Sequence, residues 1–213
     1  MSKPLEVDIF IPCFIDQVYP ETGFNMIKVL EKAGVKINYN PNQTCCGQIA
    51  FNAGFWDDAK KLGEKFIKDF DNGRMIVGPS ASCIGYVRNG FDELFYNGAY
   101  HNEYKQLQRS IFEITDFLVN VVKVTDLGSV FEHKVTFHDS CAALREYKLG
   151  NEPRILLKNV SGLELVEMEN CHECCGFGGT FAIKFEPIST AMAEQKVHDA
   201  INTGAEYLIS TDS

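Results

Sequence analysis

The chain has 213 residues, of which 45% are apolar, and a net charge of −9 from 20 basic and 29 acidic side chains. This acidic balance argues against a nucleic-acid-binding protein, which needs a basic surface to neutralise phosphates. No run approaches the roughly 18 consecutive apolar residues of a membrane span, and the first residues lack the pattern of a signal peptide. We therefore expect a cytoplasmic protein without a membrane span.

The first half of the chain alternates between strand and helix patterns. Residues 7–11 form an apolar, β-branched run typical of a strand, and helical spacing follows over residues 24–30. Residues 35–39 alternate like a half-buried strand, residues 59–70 again follow helical spacing, and residues 75–77 are a third strand. This order predicts a parallel sheet with right-handed crossovers.

A long helix is predicted next, because residues 104–124 place their apolar side chains on one face. We predict a first domain at 1–103, a connecting helix at 104–130 and a second domain at 131–213. No Pro-rich or low-complexity linker separates the halves, so we expect the two domains to pack together.

The second half repeats the order of the first. Strand patterns cover residues 135–137, 163–168 and 207–209, and helical patterns at 155–160 and 188–201 lie between them. We therefore predict a second small parallel sheet flanked by helices.

Cysteines recur in the same order in both halves. Cys13 precedes Cys45-Cys46-Gly47, and Cys141 precedes Cys174-Cys175-Gly176, so that the whole set repeats at an offset of 128 to 129 residues. Four landmarks that recur in order and spacing indicate a duplication. Clustered cysteines in a reducing compartment are more typical of metal binding or redox chemistry than of disulfides.

Each of these cysteines follows a predicted strand, and ligands of open parallel sheets bind outside the carboxyl ends of the strands. We therefore expect two groups of thiols, with Cys13, Cys45, Cys46 and Cys83 in the first half and Cys141, Cys174 and Cys175 in the second. Converging thiolates suit zinc or an iron–sulfur cluster. The spacing favours the cluster, because two adjacent cysteines cannot easily chelate one ion but can reach two irons.

Other residues near these motifs leave alternatives open. Gly47 and Gly176 permit close approach of the backbone to an anionic cluster, or simply form tight turns. His172 could bind a metal or tune a cluster, although an exposed loop histidine is the simpler interpretation. His138 is most simply a structural histidine.

The doubled motif resembles that of the CCG domain, a cysteine-rich domain of iron–sulfur proteins. Its pattern is a lone cysteine, Cys-Cys-Gly and Cys-x-x-Cys at long spacings, and it occurs twice in the cysteine-rich subunit of heterodisulfide reductase and in related proteins of lactate and glycolate oxidation. The stretches Thr44-Cys45-Cys46-Gly47-Gln48 and Cys174-Cys175-Gly176-Phe177-Gly178-Gly179-Thr180-Phe181 look most like the lactate-utilisation protein A family.

The resemblance implies an α/β fold of two tandem domains related by a pseudo-twofold axis, with the cysteines at the carboxyl ends of the strands. It further implies one or two four-iron four-sulfur clusters, with the seven cysteines above as ligands, in a subunit that acts with other subunits of a cytoplasmic L-lactate oxidation complex. In the heterodisulfide reductase relatives these clusters are non-cubane.

Two positions depart from the family pattern. Ser80 replaces the first cysteine of the Cys-x-x-Cys pair that should end at Cys83. Aligning Ile209 with Val77 puts the second counterpart of Cys83 two positions beyond Ser213. The second domain therefore looks truncated at its C-terminus. Cys171 lies close enough in sequence to substitute for the absent ligand but is not part of the motif, and we expect the second cluster to be absent or damaged.

Three functions are compatible with these observations. The leading hypothesis is an electron-transfer subunit, non-catalytic or co-catalytic, of a lactate-oxidising oxidoreductase. The second is a disulfide reductase of the heterodisulfide type, against which Ser80 argues. The third is a zinc-stabilised scaffold that assembles partner subunits.

Overall fold

The protein is described over residues 4–212 by a computed structural model. Its strands are β1 Glu6–Ile9, β2 Lys36–Tyr39, β3 Met75–Gly78, β4 Ile111–Glu113, β5 Lys134–His138, β6 Glu164–Leu165 and β7 Tyr207–Ser210. Its helices are α1 Cys13–Val18, α2 Pro20–Lys32, α3 Gln48–Asn52, α4 Trp56–Asp69, α5 Ala81–Gly85, α6 Phe91–Phe95, α7 His101–Ser110, α8 Ile114–Asp116, α9 Glu152–Lys158, α10 Thr180–Lys184 and α11 Glu186–Asn202. Three π-helical segments lie at Tyr86–Gly90, Phe117–Val122 and Ala143–Tyr147.

The strands form two parallel sheets with matching topology. The first has the order β2-β1-β3-β4, and Val7 pairs with Ile37 on one side and Met75 on the other. The second has the order β6-β5-β7, and Val135 pairs with Leu165 and Tyr207. β6-β5-β7 thus repeats β2-β1-β3, which confirms the predicted α/β architecture of two parallel sheets flanked by helices.

The core fills both faces of the first sheet. One cluster is mainly aromatic and contains Phe10, Phe66, Phe91, Phe95 and Tyr104. The other is mainly aliphatic and contains Val7, Ile9, Leu30, Val35 and Val77. Burying each such side chain contributes about 1.5–3 kcal/mol, so the central strands are held firmly and their carboxyl ends are fixed in space.

The predicted long helix from Tyr104 to Val124 is wrong. Helix α7 ends at Ser110, and the next three residues form β4, which pairs with β3 and continues the first sheet. Ile111 and Glu113 are both buried there. Pairing β4 with β3 satisfies the backbone groups of an otherwise exposed sheet edge, and this gain outweighs the helical spacing of the sequence. The domain boundaries at 103 and 130 stay a prediction.

The two halves pack against each other through α5 and the π-helical segment Ala143–Tyr147. Tyr147 and Ala143 lie in the aromatic core cluster of the first half. The Tyr147 hydroxyl accepts a hydrogen bond from the Glu113 amide at 3.0 Å. The prediction that the halves pack together is therefore confirmed. Within residues 4–212, no helix combines the length and the apolar character that crossing a membrane requires.

Candidate metal centre

Four thiols converge at the carboxyl edge of the first sheet. Cys13 begins α1 just after β1, Cys45 and Cys46 lie between β2 and α3, and Cys83 lies in the first turn of α5 after β3. The Sγ atoms of Cys13 and Cys45 are 3.5 Å apart. Cys46 is buried, and its thiol interacts with those of Cys45 and Cys83. The structure thus brings together all four residues of the predicted first group.

Three thiols converge at the corresponding edge of the second sheet. Cys141 follows β5, and its thiol interacts with those of Cys174 and Cys175. These are the three residues of the predicted second group. Whether its cluster is absent or damaged stays a prediction.

Backbone amides after each cysteine pair are aimed at sulfur. The Gly47 amide donates to Cys45 Sγ, and the Gly176 amide donates to Cys174 Sγ, both at 3.4 Å. Both glycines have left-handed φ angles, +92° and +82°, which a residue with a side chain rarely adopts. The two turns therefore place a partial positive charge next to a sulfur that would be anionic as a ligand.

The first group shares protons unevenly among its thiols. Hydrogen bonds from Cys13 and then Cys46 hold the pKa of Cys45 far below its usual range. The same hydrogen bond to Cys45, followed by burial, raises the pKa of Cys13, and hydrogen bonding to Cys45 likewise raises that of Cys46. Without a metal, one thiolate is thus stabilised by two thiols, whereas a bound cation would favour several thiolates at once.

The donor set of the first group fits a soft metal centre. Four sulfur atoms from three separate loops meet around one point, and an amide donor lies beside them. This chemistry matches an iron–sulfur cluster held by four cysteines, and four-coordinate zinc uses the same ligands. Within residues 4–212, the second group supplies three thiols and the same amide donor.

The remaining residues weighed from the sequence lie elsewhere. The ligand atoms of Cys171, His172 and Asp139 lie within 4.8 Å of one another, and the charges that act on Cys171 come from Asp139, Glu167 and Arg154. The structure therefore places Cys171 beside Asp139 and His172, and whether it can serve as a cluster ligand stays a prediction. His138, at the end of β5, is 6% exposed, and burial lowers its pKa. Within the described residues neither of its ring nitrogens has a hydrogen-bond partner, so its structural role stays a prediction.

Sequence reasoning missed the contacts that join the two metal-binding loops. The Asp212 carboxylate accepts hydrogen bonds from the Ser80 hydroxyl at 2.9 Å and the Ser82 amide at 2.8 Å, and it also accepts one from Ser140. The rings of Phe14 and Phe177, which directly follow Cys13 and Gly176, lie 6.4 Å apart. An aromatic residue directly after a motif residue, Cys13 in the first half and Gly176 in the second, is a signal that could have indicated this contact, whereas nothing local marks Asp212.

Comparisons with known proteins agree with the repeat. The family model described as a cysteine-rich domain, CCG, matches residues 7–88 and again residues 135–213. Lactate utilization protein A of Oceanobacillus iheyensis is 39% identical over 209 residues, which cover 98% of this chain and 85% of that protein. Lactate utilization protein A of Geobacillus kaustophilus is 37% identical over 98% of this chain and 87% of its own length.

Proposed function

Because the chain belongs to the cysteine-rich CCG domain family, we propose that it is an iron–sulfur electron-transfer subunit of a cytoplasmic complex that oxidises L-lactate. The observation that carries this proposal is the convergence of Cys13, Cys45, Cys46 and Cys83 at one sheet edge. Lactate is proposed as the substrate because relatives named for lactate utilisation match nearly the whole chain.

A cluster would be held in the first half by the four convergent thiols and in the second by Cys141, Cys174 and Cys175. When bound, such a cluster accepts and releases single electrons. The protein would shield the Cys46 side of the first cluster from water, because Cys46 is 3% exposed. It would also contribute amide donors from Gly47 and Gly176. Both features tune the potential of iron–sulfur clusters.

The site argues for electron transfer over disulfide reduction. Ser80 occupies the position of a fifth cysteine in the family pattern. Its side chain is buried, and its hydroxyl donates a hydrogen bond to the Asp212 carboxylate. A four-thiol group fits an ordinary cubane cluster, whereas a non-cubane cluster of the disulfide-reducing relatives would use the fifth ligand. The partners of this chain would then be the other subunits of the complex, which supply the lactate site and take the electrons.

Metal analysis of protein prepared without oxygen tests the proposal. Reconstitution with iron and sulfide should load about four irons and four sulfides per occupied group, with an electron paramagnetic resonance signal after reduction. Cys46→Ser should remove the iron of the first group, and Cys171→Ser, the matched control outside both groups, should leave iron unchanged. Reconstituted protein that holds no iron and sulfide would refute the proposal, and about one zinc without iron would favour the scaffold hypothesis instead.

A further inference from the structure

We propose that Asp139, Cys171 and His172 form a zinc-binding site that is separate from the two cysteine groups. Asp139 directly follows β5, and the other two residues lie in the loop between β6 and α10. The site goes beyond electron transfer, because it would bind a redox-inert ion next to the second group of thiols.

The geometry already brings three different ligand atoms together. One sulfur, one ring nitrogen and one carboxylate oxygen lie within 4.8 Å of one another. His172 Nδ1 is 3.3 Å from Asp139 Oδ2. Zinc bonds of about 2.0–2.3 Å in a tetrahedron place ligand atoms about 3.3–3.8 Å apart, so the three atoms need only a small closure around the ion.

The thiol of this site is independent of the cluster ligands. The three residues of this site, Asp139, Cys171 and His172, include none of the thiols of the second group. Cys141, by contrast, interacts with Cys174 and Cys175. A metal bound through Cys171 would therefore not compete with the second group for ligands.

The charge around the site favours a divalent cation. Arg154 donates to both oxygens of Asp139, at 2.9 and 2.6 Å, and to both oxygens of Glu167, at 2.6 and 2.9 Å. One guanidinium thus faces two carboxylates, and a thiolate at Cys171 would leave an excess negative charge. Arg154 also fixes the orientation of Asp139, as hydrogen-bonded partners of metal-ligating carboxylates do.

The mixture of donors and the exposure of the site point to zinc. Sulfur, nitrogen and oxygen together suit this borderline-soft ion, and three protein ligands leave a fourth position for water. The His172 side chain is 69% exposed, which gives an ion a direct path from solvent, whereas Asp139 is 7% exposed and anchors the site. The competing interpretation is an ion-pair network in which Arg154 alone neutralises Asp139 and the loop binds nothing.

Zinc titration of the iron-loaded protein tests the proposal. The chain, prepared without oxygen, would be dialysed against Zn²⁺ at graded concentrations, and zinc and iron would be measured in the same samples. His172→Gln should weaken binding of one zinc equivalent at least tenfold, while His198→Gln, an exposed histidine on α11, should leave it unchanged. Zinc bound by vacant cysteines of either group would contribute equally to both variants, so their difference reports this site.

Cobalt supplies a second readout that identifies the sulfur ligand. Co²⁺ bound in place of zinc should give a thiolate-to-cobalt charge-transfer band, which Cys171→Ser should abolish without loss of iron. Equal zinc affinity of His172→Gln and His198→Gln, or absence of any zinc equivalent in the parent protein, would overturn the proposal. Loss of iron in Cys171→Ser would also overturn it, because Cys171 would then serve a cluster.

Discussion

At the scale of single residues, Glu113 is the clearest case of an ionisable side chain in a buried position. It is 1% exposed at the end of β4. One of its oxygens accepts hydrogen bonds from the Thr115 and Asp116 amides, and the other has no partner within the described residues. Burial therefore raises its pKa from the usual 4.5 to about 7, against the smaller effect of those hydrogen bonds.

The stability of the protein should depend on pH through Glu113. In the folded state the carboxyl group keeps its proton up to about pH 7, whereas in the unfolded state it loses it near pH 4.5. Its contribution to stability is therefore fully present below about pH 4.5 and is lost as the pH rises to about 7. A shift of this size corresponds to about 3 kcal/mol. Glu113→Gln should gain stability relative to the parent protein by about that amount between pH 4.5 and pH 7.5, as measured by anaerobic denaturant unfolding.

The matched control is Glu194→Gln, which changes an exposed carboxyl group on α11. Its difference in unfolding free energy from the parent protein should stay constant over the same pH range. A constant difference for Glu113→Gln as well would contradict the assigned cause.

At the scale of elements, the two Cys-Cys-Gly turns show how backbone geometry forms the site. Each turn leads from the cysteine pair toward the next helix and turns an amide back onto the first sulfur of the pair. Gly176 also packs tightly, because an added Cβ would collide with the Ser189 carbonyl and lie 2.9 Å from Met192 Cβ on α11. The sequence therefore requires glycine at this position for two reasons, conformation and space.

Gly176→Ala should strongly destabilise the folded protein at the Cys-Cys-Gly turn of the second half. A left-handed φ costs a residue with a side chain about 1–2 kcal/mol, and the collision with α11 adds to that. Gly34→Ala is the matched control, because Gly34 has a φ of +80° and nothing lies within 4 Å of its added Cβ. Thermal unfolding should show a clearly larger loss for Gly176→Ala than for Gly34→Ala. Equal losses would show that conformation alone matters at Gly176.

At the scale of the whole molecule, the two halves share one core rather than meeting as separate bodies. Tyr147 from the second half packs in the aromatic cluster of the first and donates a hydrogen bond to Asp116. Gly85 of α5 allows this approach, because an added Cβ would lie 3.0 Å from the Tyr147 amide nitrogen. The Asp212 carboxylate accepts hydrogen bonds from both Ser80 and Ser140, which lie in loops of different halves. The packing thus fixes both cysteine groups relative to each other.

Gly85→Ala should loosen the contact between the halves. Gly85 lies in a helix, where alanine gains up to about 1 kcal/mol over glycine, so a net loss is expected because overpacking against Tyr147 costs about 1–3 kcal/mol. Gly23→Ala, whose added Cβ meets only the Ile11 side chain at 3.4 Å, should be neutral or stabilising. Denaturant unfolding measures both. An equally stable Gly85→Ala would show that the interface has room that the structure does not indicate.

Much of the fold could be predicted from the sequence, because strand and helix patterns depend on local spacing. Six strands and four helices lie where the patterns of residues 7–77 and 135–209 place them, although β6 is shorter than predicted. The segment around Ile111 failed, because its apolar residues satisfy helical spacing and yet form β4 beside β3. β4 forms by pairing with the edge of β3, where Ile76, the partner of Ile111, lies 35 residues earlier in the chain. No local sequence pattern can indicate a pairing over that distance.

The duplicated cysteine motif determined by itself that thiols would gather in two groups, because parallel strands end at a common edge whatever the details of packing. Tertiary structure alone decided that Cys171 lies with Asp139 and His172, and that Asp212 bonds to Ser80. Those contacts join residues from different loops or different halves, and their distances depend on how the helices pack between them. Spacing along the chain fixes which strand a residue follows, but only the packed core fixes what its side chain meets.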